Sequence, residues 1–356
     1  MTLSRNACEI LPLAEARALD PAFYQGDDWL AFEQREIFSR SWQLAAHADD
    51  LAAPGDHVVV DIAGASILLA HGTDGVLRGF RNACRHRAGP VAACSGKGAK
   101  RFRCAYHGWT YELDGRLRAA PEMQDAADFD VADVALHPVH VRLYEKLVFV
   151  ALRGDAPSFD EVFGGVAERM AGVDIKTFRF ERREVWPVAA NWKTYVDNFL
   201  EGYHVPVVHP ALSDVIDYGK YTSHLERWHS LQTAPVEDDG AVYGGDAVYY
   251  WFFFPNIMLN VVKGRVQTNR VIPDGPGRCL VEFVYYCADD AETRARVAAD
   301  ATFSAKVQEE DRLICETVQK NLTSGGYRPG RLSPKREAAV WHFQNLLRTA
   351  YAKAMD

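Results

Sequence analysis

The chain has 356 residues, enough for one large or two ordinary domains and for a sizeable buried core. With 48% apolar, 12% aromatic and 25% charged residues it falls outside the disordered, collagen-like and coiled-coil classes. Forty basic against 48 acidic side chains leave a net charge of −8, which argues against affinity built on nucleic-acid phosphates.

Residues 1 to about 50 read as mixed helix, with DDWLAFEQREIFSRSWQLA placing apolar side chains at helical spacing. Arg5 and Glu9 interrupt what would be the apolar core of a signal peptide, so a cytoplasmic location is expected. From about 50 to 152 the texture turns β-like. HVVVDI, SILLAH, VLRGFRN, FRCAYHGWTY and LVFVALR are short β-branched and aromatic runs separated by Gly, Asp and Pro. Beyond about 155, helices are predicted near 159–171 and 190–204, and strands near 226–233, 241–254, 257–263 and 277–287. A long helix follows from about 291 to 322, making this an α+β region with an antiparallel sheet. The most apolar stretch, Val248 to Val262, is broken by Pro255, Asn256 and Asn260 and is too short and too polar to span a bilayer, so no membrane partner is expected.

The seven cysteines are odd in number and unevenly placed, which does not suit a disulfide framework; in a reducing compartment, clustered Cys and His point to metal. Within the β-like region, Cys84 and His86 are separated by one residue and Cys104 and His107 by two, with seventeen residues between the pairs. Two thiolates and two imidazoles suit either tetrahedral zinc or a Rieske [2Fe–2S] centre, in which Cys hold one iron and His the other. Each clip here mixes one Cys with one His, which lets each loop supply one ligand to each iron. Gly89, Pro90, Gly96 and Gly98 suit loops that bring backbone amides close to sulfur. Cys94 has no matching cysteine between Cys104 and Trp109, so no disulfide is expected to brace the loops.

A second constellation lies in NWKTYVDNFLEGYHVPVVHP. Asp197, Glu201 and His204 are spaced to share one helix face, and His204 and His209 flank Pro206, where a bent helix end would aim both imidazoles at one point. A third ligand is expected from elsewhere. The predicted C-terminal helix has an apolar stripe of Phe303, Val307, Ile314, Val318 and Leu322 in which Asp311 takes a core position, while Glu309, Glu310 and Arg312 fall off the stripe and read as solvated. An unpaired buried carboxylate costs several kcal/mol, so Asp311 implies a cationic partner, either a metal or an Arg or Lys. His204, His209 and Asp311 would form a two-histidine, one-carboxylate triad that leaves positions open on Fe(II).

The two motifs together resemble the catalytic α subunits of the Rieske non-haem iron oxygenases, and the likeness extends through VQEEDRLICETVQKNL to HFQNLLRTAYAKA. The resemblance implies a small all-β Rieske domain, residues 46–152, inserted into a helix-grip catalytic domain formed by residues 1–45 and 153–356. It implies a [2Fe–2S] cluster on Cys84, His86, Cys104 and His107, and mononuclear Fe(II) on His204, His209 and Asp311. Glu201 takes the place of a carboxylate that joins a cluster histidine of one subunit to a triad histidine of its neighbour; many ring-dihydroxylating members have aspartate there. That bridge implies a homotrimer or a multiple of it. Asn198 matches a position near the iron, although a capping amide would read the same way. O₂ and a small-molecule substrate are the reactants. With no nucleotide-binding glycine fingerprint between a strand and a helix, NAD(P)H is left to a separate flavin or iron–sulfur reductase or a ferredoxin.

Glutamate at the bridge and the loop HRAGPVAACSGKGAKRFRCAYHGW look like the branch that includes choline monooxygenase and quaternary-amine oxygenases. Along the run Tyr249–Phe254, strand alternation puts Tyr249, Trp251 and Phe253 on one face, where aromatic rings would hold a trimethylammonium group. The same face would also make an ordinary core or hold an aromatic ring. Hydroxylation or N-demethylation of a quaternary or methylated amine is therefore favoured, with oxygenation or O-demethylation of an aromatic acid or related ring compound as the alternative. An electron-transfer or zinc-binding protein without oxygenase activity is the alternative of a different class.

Overall fold

The computed structural model describes residues 5–170, 173, 175–237, 243 and 245–353. The chain divides into two compact units, Gln34–Phe159 and Met1–Glu33 together with Asp160–Asp356.

The inserted unit is built on nine short strands: β1 (Gln43–His47), β2 (His57–Ile62), β3 (Ala65–His71), β4 (Leu77–Arg81), β5 (Phe102–Arg103), β6 (Thr110–Tyr111), β7 (Leu117–Ala119), β8 (Pro138–Tyr144) and β9 (Leu147–Ala151). They form a six-stranded sheet in the order β1-β9-β8-β4-β3-β2 and a three-stranded sheet β5-β6-β7. Because side chains alternate along a strand, β3 serves two cores. Leu68 and Ala70 pack with Phe80, Val91, Trp109 and Tyr111, whereas Ile67 and Leu69 pack with Val148 and Val150. The unit reaches beyond 46–152 at both ends. The pairing of β1 along β9 draws in the residues before 46, and the Trp42 indole donates to the Pro157 carbonyl (2.9 Å) and packs against Phe159.

The second unit contains α1 (Asp27–Glu36, whose last residues belong to the inserted unit), α2 (Phe159–Phe163), α3 (Val166–Arg169), α4 (Trp192–Phe199), α5 (Val205–Val208), α6 (Pro210–Ser213), α7 (Ala291–Thr323) and α8 (Ala338–Ala352). Its seven strands are β10 (Arg179–Val188), β11 (Thr222–Leu225), β12 (His229–Pro235), β13 (Ala247–Phe253), β14 (Ile257–Val262), β15 (Arg265–Pro273) and β16 (Cys279–Cys287). These make one antiparallel sheet, β10-β16-β15-β14-β13-β12-β11. The helix-gripping α+β architecture agrees with the sequence reading. One face of the sheet meets the helices: Val248 and Tyr250 pack with Val205, Leu212, Phe303 and Val307, and Phe252 packs on Phe343 (5.5 Å between rings).

The differences from the predicted elements have local causes. The helix predicted over 159–171 is two short helices parted at Gly164–Gly165, where Gly165 adopts φ 79°, and residue 171 lies outside the described residues. The helix predicted over 190–204 stops at Phe199. Residues 241, 242 and 244 of the predicted 241–254 strand also lie outside the described residues. β10 and β15 escaped prediction because their alternation is unusual: β10 is a charged edge strand, and β15 buries Arg265, Gln267 and Asn269. Among the described residues no helix is long and apolar enough to cross a membrane.

Candidate active site

Asn191 caps α4, its side-chain oxygen accepting from the Lys193 backbone N–H (3.0 Å), and the helix buries Trp192, Lys193, Thr194, Tyr195 and Val196. The Lys193 ammonium donates to Glu33 (2.5 Å), with both side chains fully buried, and the same carboxylate takes the Trp192 indole and the Tyr351 hydroxyl. Burial lowers the Lys193 pKa, and Glu33 opposes that shift. This network fixes α4 against α8.

After Phe199 the chain leaves the helix because Glu201 caps the next turn: its carboxylate accepts from the backbone N–H of Tyr203 and of His204 (3.0 Å). Gly202 is needed there, since a Cβ would lie 2.9 Å from the Tyr221 ring. Glu201 and His204 therefore sit beyond the helix rather than on one face with Asp197. Asp197 turns to the Tyr24 hydroxyl (2.5 Å) and the Gln344 amide (3.0 Å); burial pushes its pKa up to about 6 despite those bonds.

The break carries His204 and His209 to α7. Ligand atoms of His204, His209 and Asp311 all lie within 4.8 Å of one another. His209 is 1% exposed; its Nε2 is 2.9 Å and the Nε2 of His204 is 3.7 Å from the same Asp311 oxygen. The opposite nitrogens are held by carboxylates, His204 Nδ1 by Glu201 (2.6 Å) and His209 Nδ1 by Glu310 (2.8 Å). A carboxylate at Nδ1 fixes the tautomer whose Nε2 lone pair is free for a metal. Burial disfavours the charged form of His209, but Asp311 and Glu310 outweigh it and its pKa is raised, so the pocket attracts positive charge. Asn198 donates to the same Asp311 oxygen (2.6 Å), a contact its capping alternative would not make. Among the described residues the partners of Asp311 are thus two imidazoles and an amide, not an Arg or Lys.

Glu310 is a correction: read as solvated, it instead orients the most buried histidine. Nothing in the spacing marks it, because its partner lies 101 residues earlier. Arg312 pairs with Glu309 (2.6 Å) and Glu316 (2.9 Å) as a surface residue should, and Val318 of the predicted apolar stripe is 40% exposed.

Tyr249, Trp251 and Phe253 share the sheet face opposite Tyr250 and Phe252, where Phe253 stacks on Phe163 of α2 (4.5 Å) and Trp251 packs on His229 (5.6 Å). Trp251 and Phe253 are buried there and Tyr249 is half-buried, whereas Tyr250 packs with Val205 next to His204 and with Val307 of α7. A cavity of about 450 Å³ adjoins Asn198, Glu201 and His204, and its wall includes Asp197, Glu337 and Gln344.

In the inserted unit the two Cys–His clips fold alike. Ala88 N–H donates to the Cys84 carbonyl (2.9 Å) and Gly108 N–H to that of Cys104 (3.0 Å), while the N–H groups of Cys84 and Cys104 donate to Gly89 and Trp109 (2.8 and 2.9 Å). Ala88 and Gly108 both adopt positive φ, 56° and 74°. The thiols are buried, and the exposed rings of His86 and His107 are 4.6 Å apart. A Cβ on Gly89 would lie 3.1 Å from the Cys104 sulfur. The seven cysteines are all free, and Cys94 is exposed.

Residues 41–137 match the Rieske [2Fe–2S] domain, and residues 173–353, half of the chain, match the ring hydroxylating alpha subunit catalytic domain. The chain belongs to the Rieske oxygenase alpha subunits. The oxygenase is 31% identical over 349 residues to the carnitine monooxygenase oxygenase subunit of Escherichia coli (strain K12), covering 94% of this chain and 93% of that one. It is 30% identical to the chloroplastic choline monooxygenase of Arabidopsis thaliana, covering 95% and 83%. A crystal structure of a quaternary ammonium Rieske monooxygenase with L-carnitine superimposes with a TM-score of 0.84 at 28% identity, over 96% and 99% of the two chains. The oxygenase accordingly uses a Rieske [2Fe–2S] cluster and mononuclear iron, which removes the zinc and pure electron-transfer alternatives. The residues present fit both groups: two buried thiols and two exposed imidazoles on matched loops suit a two-iron cluster, and the converging Nε2, Nε2 and carboxylate suit one divalent iron.

Proposed function

We propose that this oxygenase hydroxylates or N-demethylates a small quaternary or methylated amine, drawing electrons from a separate NAD(P)H-dependent flavin or iron–sulfur reductase. The observation that carries this reading is the similarity, over nearly the whole chain, to carnitine and choline monooxygenases. The surroundings of the triad support it: Asp197, Glu201 and Glu310 make them acidic, which suits a cationic substrate.

Cys84, His86, Cys104 and His107 would hold the cluster, and His204, His209 and Asp311 would hold the mononuclear iron. When bound, the cluster supplies single electrons and the iron supplies open positions for dioxygen beside the substrate. Glu201 and Glu310 keep both imidazoles in the Nδ1–H tautomer, and Asn198 positions the Asp311 carboxylate. Glu201 also serves as the bridge to His107 of a neighbouring copy in a trimer. Uncovered apolar side chains beside each histidine support such docking: Tyr106 next to His107 is 56% exposed, and Tyr203 next to His204 is 55% exposed.

The test measures O₂ uptake and product together, with a surrogate reductase and NADH, against choline, carnitine, γ-butyrobetaine and simple aromatic acids. Coupled product from an ammonium compound is expected. Coupled turnover of aromatic acids alone would replace this reading. In the same assay Asp311→Ala should keep the cluster spectrum and lose mononuclear iron and turnover; full activity would sink the triad assignment.

A further inference from the structure

The cavity beside Glu201 carries three carboxylates, Asp197, Glu201 and Glu337, and neither Lys nor Arg lines it. Asp197 is satisfied by the Tyr24 hydroxyl and the Gln344 amide. Glu201 holds His204 and the turn before it, and Glu337, the residue before α8, accepts from the Ser333 backbone N–H (2.5 Å). Among the described residues neither of these two pairs with a Lys or Arg, and Arg336, the chain neighbour of Glu337, stacks on Tyr218 instead (4.1 Å). Burial, reinforced by the Glu201 charge, raises the Glu337 pKa, as befits a carboxylate that lacks a cation. Two apolar side chains of the cavity wall, Val318 and Tyr327, remain exposed. Acidic and apolar surface left open together fits a partner that is both cationic and aromatic.

The surface around the cluster histidines has that chemistry. Between Cys84 and His107 the chain carries six cations, Arg85, Arg87, Lys97, Lys100, Arg101 and Arg103, and no Asp or Glu. Lys97 and Arg101 pair with Asp56 and Glu112 (3.2 and 3.4 Å), and Arg85 bonds to His137. Arg87 is exposed and, among the described residues, has no carboxylate partner. Its guanidinium lies over the exposed Tyr106 ring (5.2 Å), and that ring lies against His107 (3.8 Å). Arg87, Tyr106 and His107 thus form one open edge, and a surface that receives His107 receives Arg87 beside it.

We propose that the cavity is filled by this edge of a second copy of the chain: where His107 of the neighbouring copy meets Glu201, its Arg87 pairs with Glu337. The proposal rests on the bridging role given to Glu201 above. It makes Arg87 and Glu337 positioning residues, which fix how His107 approaches Glu201 without touching either metal centre. The ion pair also offsets the repulsion between Glu201 and Glu337, which the bridge would otherwise leave in place. Charge favours a second copy in this register, because a chain of net charge −8 repels its like except where a cationic edge meets an acidic cavity.

The experiment uses metal-loaded oxygenase with intact cluster absorbance. It measures association of copies by sedimentation over a dilution series, and the single-turnover rate beside it. Arg87→Glu and Glu337→Arg should each weaken association or slow the single turnover at least about tenfold, and the double reversal should return both readouts to within about threefold of wild type. Arg87→Gln and Glu337→Gln serve if a reversal does not fold; their effects should then be no larger together than singly. No loss in the single variants, or losses that simply add, overturns the ion pair; the Glu201 bridge still stands if Glu201→Gln slows the single turnover. Weaker choline binding in Glu337→Gln, with association unchanged, assigns the cavity to the substrate and overturns the proposal. Wild-type enzyme that stays monomeric while turning over overturns both the pair and the bridge.

Discussion

The Glu310–His209 contact gives a sharp test, because Glu310 lies off the metal triad and off the apolar stripe of α7. His209 is almost wholly buried, and its Nδ1 has Glu310 as partner at 2.8 Å. In Glu310→Gln the amide oxygen still accepts from Nδ1–H at the same length, so packing and tautomer are kept while the charge is lost. A hydrogen bond to a charged group is worth about 1.5–3 kcal/mol and a neutral one about 0.5–1.5, a difference of about 1–1.5 kcal/mol or roughly tenfold in affinity. Losing an outer partner of a metal-bound histidine typically costs about 10–100-fold, the same range. Iron affinity would be measured by competition with a chelator on enzyme whose cluster absorbance is intact. Glu310→Gln should bind mononuclear iron about tenfold more weakly, and Glu310→Leu more weakly still. Wild-type affinity in both variants would refute the argument that this carboxylate tunes the triad.

Glu201→Gln should retain both metals, since its amide oxygen still caps the turn at His204, but slow the single-turnover rate; an unchanged rate would remove the bridging role. Lys193→Met leaves the Glu33 charge buried without its cation, and chemical denaturation should show a loss of about 3–5 kcal/mol; a loss below about 1 kcal/mol would mean that the carboxylate takes a proton instead. Asp197, with its pKa pushed up to about 6, holds a proton in the folded state between about pH 4 and 6 that the unfolded chain has released. Stability should therefore fall as pH rises through that window, by up to about 3 kcal/mol, and urea melts of Asp197→Asn should lack that component.

The sequence alone was enough to pick out both candidate metal-binding motifs, because ligand chemistry restricts residue types and spacing: two Cys–His clips, two histidines around Pro206, and a carboxylate in an apolar helical stripe. The α+β class and the long helix α7 were also legible, since amphipathic periodicity is written locally. What tertiary structure decided is which side chains meet across long separations. Glu310 looked solvated because its own helix gives it no partner; His209 supplies one only after α4 breaks at Leu200. The aromatic run on β13 looked like a binding face because alternation shows which side chains share a side, but not which side faces the helices. Packing put Tyr249, Trp251 and Phe253 on the opposite face and set Tyr250 against α5, α6 and α7. The alignment of Gln232, Tyr250, Asn260, Gln267, Tyr285 and Arg182 across the large sheet was illegible for the same reason: it crosses six strands, and only their register brings one residue from each into line.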